Sequence, residues 1–188
     1  MTFNKAFLSL PLLLLALTSC MGDDDDSKEF LDWKRENDAY ITFLDSQIQA
    51  GKEDFTKVIP SWASLNSVYI KWHNDTSLTA RNLKPLSNST VDITYALEDI
   101  DGNDLGNSFS NTAAYGDSIY RSKPNQNIVG MWAAMLNMHE GDTVTLVIPY
   151  ISGYGARTIN SIRPYSNLIY LSCEDEESGV IRILSLEY

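Results

Sequence analysis

Apolar residues recur along this chain in two rhythms, first every three or four positions and later every second one. Between Ser27 and Ala50 the apolar positions are Phe30, Trp33, Tyr40, Ile41, Leu44 and Ile48, which line one stripe of a helix. Ser27 can cap the N-terminus and Gly51 follows the last periodic residue. An amphipathic helix is therefore expected over residues 27–50, its stripe covered either by the rest of the chain or by a second copy. Residues 51–64 carry no period and read as a linker. From about Leu65 the period becomes two. Val68–Trp72 is a strand candidate, and Val91–Leu97 alternates more cleanly before the Asp101-Gly102 turn. Residues 103–117 are rich in Asn, Ser, Gly and Asp and read as a long loop, followed by a short strand over Ser118–Arg121. Gly130–Met138 reads as a short helix rich in Ala and Met, stopped by Gly141. Thr143–Ile148 is a strand ended by Pro149, and Gly153 opens a loop that runs to Pro164. Leu168–Cys173 and Val180–Leu186 complete the pattern, joined by a turn at Glu176–Gly179. About five or six strands and two helices make an α+β domain with a mostly antiparallel sheet.

Residues 1–19 follow a different rule. Lys5 precedes the apolar run Ala6–Leu17, and Thr18-Ser19-Cys20 closes it. This layout resembles a bacterial lipoprotein signal peptide. Its apolar stretch of about a dozen residues falls short of the roughly 20 that a spanning helix needs. The alternative is an ordinary secretory signal that happens to end near a cysteine. Either segment is excluded from fold reasoning. The resemblance implies that Cys20 becomes the first mature residue and carries lipid. That would hold the protein at the outer membrane, on its periplasmic face or at the cell surface. Asp23–Asp26 follow at once, so residues 20–26 read as the lipidated cysteine and a solvated acidic tether. Acidic residues next to the lipid also resemble the signal that exports lipoproteins of Bacteroidetes to the cell surface.

Composition narrows the rest. The 188 residues carry a formal net charge of -11, with no basic run, which argues against nucleic acid as a partner. The length after residue 19 fits one domain able to bury a core without staples. With Cys20 committed to lipid, Cys173 has no partner and no disulfide is expected. Glu174–Glu177 beside Cys173 are the opposite of what an activated thiol needs, so it reads as a small buried hydrophobe. Asp99, Asp101, Asn103 and Asp104 read as a hairpin turn, because no glutamate closes a calcium loop at the required spacing. His73 and His139 lie far apart without ligand neighbours. No metal and no cofactor are expected.

Four motifs stand in order along the second half. Val91-Asp92-Ile93-Thr94-Tyr95 precedes Asp101-Gly102. Ile128-Val129-Gly130-Met131 precedes Met138 and Gly141. Ile148-Pro149 leads to Gly153-Tyr154-Gly155-Ala156, and Ile162-Arg163-Pro164 leads to Leu168-Ile169-Tyr170. Together, over about residues 65–173, they resemble the FKBP-type peptidyl-prolyl cis-trans isomerases. The resemblance implies a strongly bent antiparallel sheet wrapped on one short helix, formed by residues 65–188, with the helix at 27–50 as an addition. It also implies isomerisation of X-Pro bonds in envelope or secreted proteins, and so proline-containing peptides or proteins as partners.

Carried onto these motifs, Tyr95, Ile128 and Tyr154 fall on the catalytic positions. Tyr95 would form a wall, Ile128 would offer its side chain and backbone N–H, and Tyr154 its hydroxyl. Leu105, Met131, Ile162 and Tyr170 fall on substrate-binding positions. Met131 stands where the family usually places a tryptophan, and Tyr170 where it has phenylalanine. Trp132 would restore the ring by a one-residue slip, but the gapless placement at Met131 also aligns Met138 and Gly141. Leu105-Gly106 replaces the family's Phe-Asp. The losses at Gly106 and Met131 keep a second expectation open, a non-catalytic module that binds peptide or protein in the same cleft.

Overall fold

The fold is built outward from two strands that are buried on both faces. The computed structural model describes residues 23–110, 118–170 and 181–187, with side chains from Lys28 to Tyr170 within those spans. The readings of residues 1–22, Cys20 among them, and of Cys173 fall outside the described residues. In chain order the elements are α1 (Asp23–Gln49), β1 (Thr56–Val58), β2 (Val68–Trp72), α2 (Thr76–Thr79), β3 (Thr90–Thr94), β4 (Ala96–Glu98) and β5 (Asp104–Asn107). They continue with β6 (Tyr120–Ser122), α3 (Val129–Met135), β7 (Thr143–Ile148), β8 (Leu168–Tyr170) and β9 (Ile181–Glu187). The sheet order is β5-β4-β8-β7-β9-β3-β6, with β2 also paired to β7 and β1 to β2. Every pairing is antiparallel. β8 pairs with Leu146–Ile148 and β9 with Thr143 and Val144, so two strands share one edge of β7 and the sheet divides there. The α+β antiparallel architecture is the one expected.

Strand alternation sends odd and even residues to opposite faces. Val68 and Ile70 of β2, with Val144, Leu146 and Ile148 of β7, join Met131, Ala134 and Met135 of α3 in the larger core. Tyr69, Val147 and Ile169 point the other way, where Leu44 of α1 covers them with Tyr40, Ile41 and Ile48 beside it. The part of the α1 stripe from Tyr40 to Ile48 is therefore covered by this chain's own sheet, whereas Phe30 stays exposed.

Several expectations are corrected. α1 starts at Asp23, so the run Asp23–Asp26 forms its first turn and Ser27 lies inside the helix rather than capping it. The strand read over Val91–Leu97 is two, broken at Tyr95. β5 lies within the expected loop at 103–117, and β1 within the expected linker. Three- and four-residue strands are too short to leave a period in the sequence. The short helix ends at Met135, earlier than expected, and Leu136–Gly141 turn, with Gly141 at φ +89°.

Gly130 explains how α3 reaches the sheet. A Cβ built on it would lie 2.3 Å from Cγ2 of Ile148. The helix backbone lies directly against β7, and only a residue without a side chain fits.

Candidate functional site

The break at Tyr95 is held by a single buried serine. The Tyr95 N–H donates to Ser108 Oγ at 3.0 Å, and the Ser108 N–H donates back to the Tyr95 carbonyl at 2.9 Å. This turns the Tyr95 ring over the larger core. There it meets Tyr170 at 5.6 Å and 67°, and Tyr120 at 5.7 Å and 87°, both edge-on contacts of the kind aromatic rings prefer. Tyr170 is 6% exposed, Met131 4% and Ile162 6%, and all three belong to the same cluster. Tyr95, Leu105, Ile128 and Tyr154 pack against that cluster half-buried. Every residue read as a site residue within the described region thus lies on or beside one apolar cluster.

Tyr154 is placed by turn chemistry. A 3-10 turn at Tyr150–Ser152 leads into Gly153, and Gly155 at φ +65° returns the chain. The Gly155 N–H donates to the Tyr150 carbonyl at 2.8 Å, and the Tyr165 N–H donates to the Gly155 carbonyl at 2.8 Å. Ile128 caps α3; its carbonyl accepts the Trp132 N–H at 2.9 Å, and its own N–H donates to no described residue. Trp132 faces away from the cluster, donating to Ser87 Oγ at 3.3 Å and lying 5.0 Å from the Trp62 ring. Met131, and not Trp132, is the α3 residue beneath the tyrosines. Gly106 pairs with Leu97 at φ +136°, a conformation in which an aspartate would be strained.

Burial, first of all, raises the pKa of Tyr95 and of Tyr154 above 10.0, and that of Tyr170 well above it. All three stay neutral phenols at neutral pH and remain hydrogen-bond donors. The Tyr120 hydroxyl reaches Asn127 Oδ1 at 3.4 Å, whereas those of Tyr95, Tyr154 and Tyr170 donate to no described residue. Tyr95 and Tyr154 are half-buried, which keeps their donors within reach of solvent, whereas Tyr170 lies in the buried core. The cluster offers an apolar surface with unspent donors at its rim.

Tyr120 is the residue that sequence reasoning missed. It lies on β6 opposite Ile93, two residues before Tyr95 on the neighbouring strand. The strand at 118–121 was legible, but none of the four motifs runs through it. A separate cleft of about 320 Å³ lies at the other end of α3, lined by Trp72, Thr76, Ala80, Asn137, His139 and Asp142. The buried Asp142 carboxylate there already accepts from Trp72, Asn74, Thr79 and the His139 N–H. That closes a turn and leaves no acid free for chemistry.

A sequence model of the FKBP-type peptidyl-prolyl cis-trans isomerases matches residues 82–171, a span that contains Tyr95, Ile128, Tyr154 and Tyr170. Among solved structures, a peptidyl-prolyl cis-trans isomerase from Pseudomonas syringae pv. tomato is 18% identical, with a TM-score of 0.58 over 86% of this chain and 96% of that one. FkpA from Escherichia coli is also 18% identical, with a TM-score of 0.60 over 86% of this chain and 64% of that one. No curated protein sequence matches. At that identity the structures establish a shared fold, and the matched motifs lie where that fold forms its cluster. Residues 82–171 thus match the FKBP-type peptidyl-prolyl cis-trans isomerase family, within a fold that the chain shares with these two structures.

Proposed function

We propose that this protein is a lipid-anchored prolyl isomerase that acts on X-Pro bonds of envelope or secreted proteins. The observation that carries the reading is the convergence of the Tyr95, Tyr154 and Tyr170 phenols, without partners among the described residues, around Met131 and Ile162. Rotation about an X-Pro bond breaks amide resonance, a barrier of roughly 18–20 kcal/mol. Both isomers of an X-Pro bond are populated, so a catalyst of the twist has substrates. The twisted amide has lost charge separation, so an apolar surface favours it over the planar ground state. This is differential binding of the transition state, with no acid, base or metal. Met131, Ile162, Tyr170 and Leu105 would receive the proline ring. The Tyr154 hydroxyl and the Ile128 N–H would donate to carbonyls on either side of it. Tyr95 would wall the cleft, and Tyr120 would back Tyr95.

A second reading is favoured by Gly106, whose backbone conformation disfavours the family's aspartate, and by Met131 in place of the usual tryptophan. In that reading the cleft binds proline-containing segments without turning them over. A protease-coupled X-Pro isomerisation assay separates the two. Turnover that Ile128→Ala lowers supports the enzyme. Binding of X-Pro peptides without turnover supports the module, and neither binding nor turnover refutes both.

The anchor is part of the proposal. Cys20 follows the apolar run at the position of a lipidated cysteine, and α1 begins three residues later. Cys20→Ala is expected to leave the protein unprocessed or soluble in the periplasm. A variant that is processed and still partitions into the detergent phase would overturn the anchor.

A further inference from the structure

We propose that Trp33, Lys34 and Asn37 of α1 are positioning residues for the loop that carries Tyr154, so that the added helix is a working part of the cleft. This inference rests on the functional reading above. The helix lies outside the residues the family model matches, yet it grips the loop at both ends. Asn37 is fully buried in the middle of α1. Its Oδ1 accepts the Asn167 N–H at 2.7 Å, and its carbonyl accepts from Asn167 Nδ2 at 2.8 Å. Asn167 Oδ1 in turn accepts the Tyr150 N–H at 2.9 Å, where the loop begins. One helix residue thus reaches the entry and the exit of the loop through one amide side chain.

Trp33 makes the second attachment. Its Nε1 donates to Ser166 Oγ at 3.0 Å, and the Arg163 guanidinium lies 3.7 Å over its ring. Arg163 follows Ile162, so this contact borders the other wall of the cleft. Lys34 makes the third, with its ammonium 5.4 Å from the Tyr150 ring and 6.0 Å from the Tyr165 ring.

The loop needs this support because it is strained. Tyr165 has φ +62°, a region that bulky residues avoid unless their surroundings impose it. The Tyr150 ring meets the Tyr165 ring edge-on at 5.6 Å, and the Tyr165 N–H holds the Gly155 carbonyl one residue past Tyr154. If the helix lets go, Tyr165 relaxes to an ordinary backbone conformation and the Gly155 contact breaks. The Tyr154 hydroxyl then leaves the cleft. A site whose competent conformer falls to a fraction f loses apparent affinity by that fraction.

The test compares the full mature chain with Asn37→Ala and with Trp33→Phe, the latter keeping a ring beneath Arg163 while removing the N–H. Amide hydrogen exchange is read at Gly155 and Tyr165, with the β7 amides of Leu146 and Ile148 as reference, together with KM and kcat on an X-Pro peptide. Asn37→Ala is expected to speed loop exchange by about tenfold or more and to raise KM by about tenfold, as a competent fraction near one tenth requires. Trp33→Phe should move both in the same direction by less, kcat should stay within about twofold of wild type, and the β7 amides should not move. The proposal is overturned if the loop amides exchange as in wild type. It is also overturned if they loosen without a change in KM, or if the β7 amides loosen equally, which marks a loss of overall stability. If wild type neither binds nor turns over any X-Pro peptide, the functional reading fails, and unchanged loop exchange would then separately sink the clamp.

Discussion

Replacing Gly130 with alanine sets two known effects against each other at one atom. In a free helix Gly→Ala gains about 1 kcal/mol from reduced chain entropy. In this protein the new methyl would stand 2.3 Å from Cγ2 of Ile148 and 3.2 Å from its Cβ and Cγ1. Carbon atoms rest at roughly 3.5–4.0 Å, so α3 or β7 must yield by more than about 1 Å. Neither is free to do so, because Ile148 is fully buried and Ala133, Ala134 and Met135 on the next turn are closed in as well. Overpacking costs about 1–3 kcal/mol, and a contact that must open by more than about 1 Å belongs to the upper part of that range, about 2–3 kcal/mol. The clash should win, leaving Gly130→Ala destabilised by roughly 1–2 kcal/mol in urea unfolding followed by tryptophan fluorescence.

The decisive measurement is a double-mutant cycle with Ile148→Ala. That change alone should cost about 2–5 kcal/mol by emptying a buried site. In the double variant the methyl added at position 130 enters space that the Ile148 side chain has vacated, so the combined loss should fall short of the sum by about 1 kcal/mol or more. Distant independent sites add within about 0.5 kcal/mol. A neutral or stabilising Gly130→Ala, or strict additivity, would refute the close approach of α3 to β7. Met131 follows Gly130 and Ile128 lies two residues before it, so the same variant should also weaken X-Pro peptide binding.

Three further outcomes follow from the tyrosine cluster and the strand beside it. Tyr154→Phe removes a hydroxyl that no described residue uses, so stability should hold while peptide affinity, read by titration, falls by about 0.5–1.5 kcal/mol; a stability loss of that size instead would mean the hydroxyl is structural. Tyr95, Tyr154 and Tyr170 all have folded pKa values raised above the ordinary 10.0, so their contribution is fully present below that pH. It is lost as pH climbs through the folded values, so the urea midpoint should drop above about pH 10 before tyrosinate absorbance is complete, and a flat midpoint there would contradict the burial. Gly106→Asp should destabilise by about 1–3 kcal/mol because aspartate must adopt φ +136°, and a gain in both stability and turnover would show the strand free to rearrange.

Periodicity carried the large elements, and motif spacing carried the residues that share one apolar cluster. A stripe with a helical step gave away α1, and alternation marked β2 and β7 as strands. The motif spacing picked out Tyr95, Tyr154, Tyr170 and Met131, which meet although up to 75 residues separate them, from Tyr95 to Tyr170. β1 and β5 escaped because runs that short cannot repeat. Tyr120 escaped because a tyrosine on a three-residue edge strand looks like any other, until β6 sets it opposite Ile93. The strained φ of Tyr165 could not be read at all, since glycine or asparagine would be the usual mark of such a turn and neither stands there.

Asn37 was hardest to read, and the packing explains why it is there. A buried asparagine on an otherwise apolar face costs stability unless its groups are matched. The stripe of Leu44, Ile41 and Ile48 against Tyr69 and Val147 would hold α1 to the sheet with little regard for its position along its own axis. Apolar contact is non-directional, and a helix shifted by one turn presents a similar surface. Asn37 removes that freedom. Its Oδ1 meets the Asn167 N–H and its carbonyl meets Asn167 Nδ2, so a shift by a turn would leave buried donors and acceptors unpaired on both sides. The apolar stripe therefore supplies the attachment, and the asparagine pair sets the register. That register places Trp33 under Arg163 and Lys34 beside Tyr150, the two contacts that border the Tyr154 loop. A helix carrying leucine at position 37 could bind the sheet as tightly and still hold the loop in the wrong place.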